Sequence, residues 1–258
     1  MRHAVRTALV ILVIATTVLG ADAPYVGKWK LNPAKSDFGE STITFDLMPD
    51  GSIKVTTAGQ SYTVKTDGKD YPTPFGSMEM WKTVNATTWE STGKTNGKVI
   101  STSTWKLATD GKSLTVDSKN VKADGQASND SQTFQRVSGT SGLAGKWKTK
   151  NVKIGSPGTL MIAANGADGV ALTLVEEKGT CSPKFDGKDY PATGPIWPSG
   201  WTCVAAKSGA NALNVTWKKD GKVMFKDLFT ASADGKTLTD DGTVPGLSEK
   251  TKAIYEKQ

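Results

Sequence analysis

An internal duplication constrains the fold of this chain more than any other feature. Four blocks of the first half recur in the second half, in the same order and about 120 residues apart. The hexapeptide DGKDYP is identical in both halves, at residues 67–72 and 186–191. The other pairs are VGKWKLNPAKSDF with AGKWKTKNVKIGS, GKVISTSTWKLATDGKSLTVD with GKVMFKDLFTASADGKTLTDD, and TFQR with IYEK. Two long copies are too few for a solenoid, so the sequence predicts two domains, over residues 24–138 and 144–258, joined by a linker at 139–143.

Each copy has the pattern of β-strands. From Lys98 to Leu107, for example, apolar and small residues alternate with lysines and threonines, which places them on opposite faces of a strand. Asx-Gly pairs separate such segments and supply the positive φ of tight hairpin turns. A meander of roughly eight to ten short strands tends to close on itself, because closure removes exposed sheet edges. The sequence therefore predicts an all-β fold of two tandem antiparallel up-and-down β-barrels.

The N-terminal segment is typical of a secretory signal peptide. Two arginines precede an apolar run from Ala8 to Leu19, and small residues follow it. This run is too short for a membrane span. We expect a signal peptide over residues 1–23, cleaved after Ala23 or closer to Gly20, and a secreted or periplasmic protein. An uncleaved N-terminal anchor is the alternative.

The histidine, cysteine and arginine contents exclude several chemistries. The only histidine, His3, lies in the expected signal peptide, which leaves no histidine for catalysis or metal binding. In an exported protein, Cys181 and Cys203 more often form a structural disulfide than a reactive pair. The chain is basic, with a net charge of +7, but beyond the signal peptide its cations are lysines except for Arg136. Lysine lacks the forked contacts that arginine makes to phosphate and guanine, so we expect no nucleic-acid binding. We also expect no metal and no cofactor.

The ends of each copy resemble those of lipocalins. The first strand of each copy contains Gly-Lys-Trp, and the last strand has a cation two residues after an aromatic residue. The residues concerned are Gly27, Trp29 and Arg136 in the first copy, and Gly145, Trp147 and Lys257 in the second. In lipocalins the glycine lets the strand bend, the tryptophan closes the barrel floor and the cation stacks on the indole, so the resemblance implies these structural roles here. The second copy departs from the pattern, because it has lysine in place of the arginine and lacks the Asn-Pro that follows the first strand.

The wider pattern, which includes DGKDYP, resembles a group of uncharacterised bacterial exported lipocalin-like proteins. In that group one copy usually makes the whole domain, so this chain is interpreted as a tandem duplication of it. The resemblance covers nearly all of the chain beyond the signal peptide.

Four residues are candidates for contact with a ligand. Tyr71 and Tyr190 belong to the repeated hexapeptide, for which the alternative role is a structural turn with an aromatic anchor. Trp197 lies between prolines on a segment that we expect to be exposed, where it suits an apolar molecule, a sugar face or the other domain. Asp227 falls on the apolar face of its strand, where an unpaired carboxylate is costly. The alternative for Asp227 is a bulge that turns it to solvent, or a lysine partner.

The sequence indicates no catalytic residues. The pairs Glu176-Glu177 and Asp240-Asp241 are adjacent, so in a strand their side chains point to opposite faces and cannot converge, and we interpret them as surface charges. The leading hypothesis is an exported, non-catalytic binding protein for a small apolar or amphipathic ligand held in one or both barrels. One alternative is a structural or surface-interaction protein whose barrels are filled with side chains. An enzyme that uses carboxylates or a Tyr-Lys arrangement is a third hypothesis, and the oligomeric state does not follow from the sequence.

The signal peptide can be tested by N-terminal sequencing of the protein recovered from the periplasm or medium. We expect the first residue to lie between Ala21 and Pro24, because signal peptidase requires small residues just before the cut. An intact Met1 would refute cleavage.

Overall fold

The computed structural model describes residues 23–123, 125–248 and 250–258. Residues 1–22 of the expected signal peptide therefore lie outside the described residues. Within the described ranges the protein consists of twenty β-strands and one short 3₁₀ helix at Pro33–Lys35, with no α-helix. None of the helical structure in this part of the chain is long and apolar enough to cross a membrane.

The strands follow one another as an antiparallel meander. The first ten are β1 (Gly27–Leu31), β2 (Thr42–Leu47), β3 (Ile53–Thr57), β4 (Gln60–Val64), β5 (Asp67–Pro72), β6 (Met78–Asn85), β7 (Thr88–Thr95), β8 (Lys98–Leu107), β9 (Ser113–Val121) and β10 (Ala127–Ser138). The second ten are β11 (Gly145–Lys153), β12 (Thr159–Ala164), β13 (Val170–Leu174), β14 (Gly179–Cys181), β15 (Tyr190–Thr193), β16 (Trp201–Lys207), β17 (Ala212–Lys219), β18 (Lys222–Ala231), β19 (Thr237–Thr243) and β20 (Lys250–Lys257).

The hairpin turns follow from the Asx-Gly pairs. Asn96 and Gly97, between β7 and β8, have φ values of 51° and 75°. Asp220 and Gly221, between β17 and β18, have φ values of 50° and 78°. Both central residues of a type I′ turn need positive φ, and asparagine, aspartate and glycine tolerate it best, so these pairs place the chain reversals.

The strands form two ten-stranded antiparallel sheets. One consists of β1 and β12 to β20, and it is closed because β20 pairs with β1. We call it barrel 2. The other, which we call barrel 1, consists of β2 to β11, with β2 and β11 adjacent and β4 and β5 at its two edges. The prediction of an all-β protein with two tandem antiparallel barrels is confirmed.

The first strand of each sequence copy lies in the sheet of the other copy. β1 pairs with β12 and β20, whereas β11 pairs with β2 and β10. The expected division into residues 24–138 and 144–258 therefore marks the sequence copies but not the sheets, and the segment 139–143 joins two neighbouring strands of barrel 1. Both first strands carry Gly-Lys-Trp, so each fits the same place in either sheet, and the sequence does not say which copy supplies it.

The floor of each barrel consequently combines a tryptophan and a cation from different copies. The Lys257 Nζ lies 5.2 Å from the centre of the Trp29 ring, and the Arg136 Cζ lies 4.0 Å from that of Trp147. Both tryptophans are completely buried. The pairs expected within each copy, Trp29 with Arg136 and Trp147 with Lys257, are therefore replaced by exchanged pairs.

The cations on the two floors differ in the hydrogen bonds that they can make. The Arg136 guanidinium donates hydrogen bonds of 2.6 Å to three backbone carbonyls as well as stacking on the indole; the acceptors are Gly111, Gly142 and Ala144. A lysine ammonium lacks this planar fork, so Lys257 cannot hold three carbonyls around the ring in the same way. Gly145 has a φ of 123°, and a Cβ atom there would lie 2.0 Å from the Ser138 carbonyl oxygen. The glycine of this motif is thus required by both conformation and space.

The open ends of the two barrels, opposite the tryptophan floors, face each other. The Trp201 Nε1 at the start of β16 donates to the Phe75 carbonyl at 2.8 Å. The Lys222 Nζ donates to the Gln60 Oε1, also at 2.8 Å. The chain crosses between these ends twice, once from β1 to β2 and once from β11 to β12.

The strand exchange can be tested with engineered disulfides in the intact chain. Lys30 lies directly opposite Glu256 in the β1–β20 ladder, so Lys30→Cys with Glu256→Cys should form a cross-link. Pairing within the first copy would instead bring Lys30 opposite Gln135, the residue that faces Lys148 in barrel 1. We therefore expect no cross-link in the matched Lys30→Cys, Gln135→Cys variant. Mass spectrometry of peptides under non-reducing conditions detects the cross-linked peptides in each variant. A cross-link in the Lys30→Cys, Gln135→Cys variant only would contradict the strand exchange.

Candidate ligand site at the mouth of barrel 2

The repeated hexapeptide is a self-contained structural unit in both copies. The Asp67 Oδ1 accepts a hydrogen bond of 3.1 Å from the Lys69 backbone, and its Oδ2 accepts one of 3.0 Å from the Tyr71 hydroxyl. Asp186 makes the same two bonds, both 3.1 Å, with the corresponding backbone amide and the Tyr190 hydroxyl. The hydroxyls of both candidate tyrosines are thus engaged inside their own motif.

The second aspartate of the motif is also used locally. Asp70 lies 2.8 Å from the Lys94 Nζ, and Asp189 lies 2.6 Å from the Lys218 Nζ. These lysines sit at equivalent places in the two barrels, on β7 and β17. The matching contacts favour the structural role of DGKDYP, with the tyrosine ring packed on the barrel core.

Trp197 folds back onto the mouth of barrel 2. Its ring stacks on that of Trp217, with ring centres 4.9 Å apart and planes at 16°, and lies 5.2 Å from that of Trp201. Its carbonyl accepts a bond of 3.4 Å from the Asn96 Nδ2 of barrel 1. The expected exposed position is therefore replaced by an aromatic cluster that also contacts the other domain.

The predicted disulfide between Cys181 and Cys203 is confirmed, with a S–S distance of 2.04 Å. It joins β14 to β16 and so ties together the two ends of the loop that carries Trp197. A cross-link that closes a loop of this length stabilises a fold by about 3 kcal/mol. The aromatic cluster is therefore held on a covalently fixed loop, whereas the first copy has no cysteine in the matching segment.

Asp227 points into barrel 2. It shares its inward face with Phe229 and Ala231, both buried. Its Oδ2 accepts a hydrogen bond of 2.8 Å from the Trp217 Nε1. Among the described residues no lysine or arginine forms an ion pair with it. The pairing of its strand has an irregularity opposite Trp217 and Lys218, but Asp227 still faces the Trp217 indole, so neither alternative applies.

Asp240 is a second inward acid, which the sequence interpretation missed. Asp227 lies opposite Gly242 and Asp240 lies opposite Phe229, so the two aspartates are diagonal neighbours on one face of the sheet. Within the described ranges the Asp240 Oδ1 is buried and has no hydrogen-bond partner. Side chains of diagonal neighbours come within reach of each other.

The interpretation of Asp240-Asp241 as surface charges is therefore wrong for Asp240 alone. Asp241 points outward, and its Oδ1 lies 3.8 Å from the Lys252 Nζ. The alternation was a usable signal, since Leu238 is completely buried and every second residue after it, including Asp240, must face the same way. Of the other acid pair, Glu176 binds Lys30 at 3.1 Å, while Glu177 is partly buried.

Burial raises the pKa of both inward aspartates, because the charged form loses water without gaining a cation. The Trp217 N–H bond opposes this rise at Asp227. At Asp240 the neighbouring charges of Asp227 and Asp241 raise the pKa further. Burial, and then the charges of Asp240 and Asp227, raise the pKa of Tyr255 on β20. The pair thus carries a reduced negative charge at neutral pH.

A pocket of about 280 Å³ opens beside Asp227, between the two barrel mouths. Barrel 2 and its last loops contribute Phe225, Thr243, Val244 and Leu247. The facing wall comes from the first crossing segment and the end of β3, and includes Phe38, Thr57 and Ala58. The lining is mainly apolar, and Asp227 is a half-buried acid within it.

Comparison of the chain with protein-family models, curated proteins and solved structures finds no match. What the protein does has therefore to be inferred from the site itself.

Replacing Asp240 by asparagine should stabilise the protein in a pH-dependent way. Because the folded-state pKa is raised, the acid destabilises the fold; this cost is absent below the unfolded pKa of about 4, grows as pH rises from there towards the folded pKa, and is complete above it. At pH 8 we expect Asp240→Asn to unfold with a free energy about 1–3 kcal/mol above that of the wild type, and at pH 4 to match it. Urea unfolding at both pH values measures the difference.

The outward neighbour provides the control for this experiment. Asp241→Asn removes an equivalent charge at the surface and should change stability by less than about 0.5 kcal/mol at either pH. Equal stability of Asp240→Asn and the wild type at pH 8 would contradict a costly inward carboxylate.

Proposed function

We propose that this protein is a non-catalytic binding protein for a small amphipathic ligand, which sits in the pocket between the two barrel mouths. The observation that carries the proposal is a mainly apolar pocket of about 280 Å³ whose lining includes a half-buried carboxylate without an ion-pair partner among the described residues, Asp227. Such pockets hold small ligands by apolar contact and orient them by a few polar groups.

We place the ligand between the mouths because the barrel interiors are occupied by side chains. In barrel 1 the rings of Phe45, Trp81, Trp105 and Phe134 are in mutual contact, with centres 4.9 to 6.5 Å apart. In barrel 2 the Trp197 cluster fills the mouth beside the pocket. This filling supports the second candidate function, a structural or surface-interaction protein, but it leaves the unpaired inward acids without a role.

The arrangement of the acids favours binding over catalysis. Hydrolysis by a carboxylate pair requires both groups to reach the substrate or its attacking water. Asp227 lines the pocket, whereas the Asp240 Oδ1 is enclosed and lies outside the pocket lining. One reachable carboxylate is sufficient to orient a ligand.

We also propose that the protein is exported, and that it is a duplicated relative of the lipocalin-like group. The disulfide favours an oxidising compartment. The tryptophan floors with their stacked cations support the lipocalin relationship.

A solvent-sensitive, uncharged fluorescent probe with an apolar ring system tests the binding function. We expect saturable binding with one site per chain. Val244→Trp should weaken it by about tenfold or more, because a large ring replaces a small side chain in the pocket wall. The matched control is Val137→Trp, at the exposed end of β10 near the floor of barrel 1, which should bind as the wild type does. Failure of the probe to bind, or equal loss in both variants, would favour the side-chain-filled structural protein.

A further inference from the structure

We propose that the ligand of this pocket carries a protonated amine, which pairs with Asp227 in the pocket wall while the apolar body of the ligand lies against Phe225, Val244 and Leu247. This inference rests on the proposed function, since it names the class of ligand for the same site. Its basis is the absence of a cation paired with Asp227 among the described residues, the aromatic surroundings of that carboxylate, and the comparison with the first copy.

Among the residues that the structure describes, Asp227 has no cation partner, although the chain has cations in excess. Lysines and arginines number 32 against 25 acids, and many surface acids have a lysine at contact distance, as Asp70 has Lys94 and Asp189 has Lys218. In the described part of the chain the partner of Asp227 is instead an indole N–H. A buried carboxylate without a cation is costly, and a bound ammonium offsets that cost.

The other charged groups around the pocket do not replace that cation. Glu40 lines the pocket but is paired with Lys148. Lys250 lies at the rim and is exposed. Glu177 lies near Lys30 and Lys122. The described part of the pocket wall is therefore acidic at Asp227, and an anionic ligand would meet Lys250 at the solvent edge.

The surroundings of Asp227 favour an organic cation over a metal ion. The described residues contain no group of three or more acids, histidines or cysteines arranged to hold a metal. The rings of Phe225 and Trp217, with centres 5.9 Å apart, lie beside the carboxylate. Aromatic faces attract ammonium groups and also accommodate the attached carbon chain.

The first copy shows that the fold does not need these acids. By the alignment of the duplicated blocks, Ser103 and Val116 of barrel 1 occupy the places of Asp227 and Asp240. Ser103 is satisfied by a bond of 2.8 Å to Ser118. The acids of barrel 2 are therefore not needed for the fold, and they reduce its stability. A destabilising group that the fold does not need favours a functional role for that group.

Displacement of the uncharged probe by hexylamine, hexanol and hexanoate tests the inference, since the three share one apolar chain. At pH 7.5 we expect hexylamine to displace the probe at a concentration about tenfold or more below that of hexanol, as a charge-assisted hydrogen bond predicts, and hexanoate to be the weakest. In Asp227→Asn, hexylamine and hexanol should displace the probe at equal concentrations. The asparagine oxygen can still accept the hydrogen bond from Trp217, so the variant should fold, and near-ultraviolet circular dichroism checks this. Asp241→Asn should keep the preference of the wild type.

The preference for hexylamine should also disappear at about pH 4, where both inward aspartates are protonated and Tyr255 remains neutral.

Probe binding with equal displacement by all three compounds, or a preference for hexanoate, overturns the amine inference and leaves the binding function standing. If neither the probe nor hexylamine binds, the latter measured by calorimetry, both proposals are overturned. An amine preference that persists in Asp227→Asn also overturns the inference.

Discussion

Strand β1 closes barrel 2 by pairing with β20 on one side and β12 on the other, and it carries Trp29 onto the floor of that barrel. Because β1 belongs to the first sequence copy, the chain must cross to barrel 1 immediately afterwards and return after β11. These two crossings, at the open ends of both barrels, hold the mouths against each other. The pocket between the mouths exists because of this arrangement, since its walls come from both barrels and from the first crossing segment.

The two copies have diverged around a common frame. Barrel 1 has a floor tied by Arg136 to three carbonyls, an interior of contacting aromatic rings and no inward acid at the positions of Asp227 and Asp240. Barrel 2 has a lysine over its floor tryptophan, a disulfide under its mouth loop and an inward acid pair. We infer that barrel 1 supplies mainly structure and one wall of the pocket, whereas barrel 2 supplies the carboxylate that we propose orients the ligand.

Local patterns in the sequence predicted local features of the site. The alternation of residues predicted that Asp227 faces inward, and the same rule applied from Leu238 would have placed Asp240 beside it. The disulfide followed from two cysteines and an expected oxidising compartment. The exposed position of Trp197 was wrong, because the flanking prolines say only that the segment is not a regular strand, and the packing of that segment depends on Trp217 and Trp201, which are distant in sequence.

By itself the sequence determined the all-β class, the duplication and the turns, because alternation, internal identity and Asx-Gly pairs are visible in the order of residues along the chain. It left the role of DGKDYP open between a structural turn and a ligand contact, and the hydrogen bonds within the motif favour the structural role. Only the tertiary structure decided which first strand enters which barrel, since two strands with the same Gly-Lys-Trp pair equally well in either sheet. It also decided that the barrel mouths meet and that Asp227 lines a pocket between them. Those features depend on packing between segments far apart in the chain, which alternation and turn chemistry do not encode.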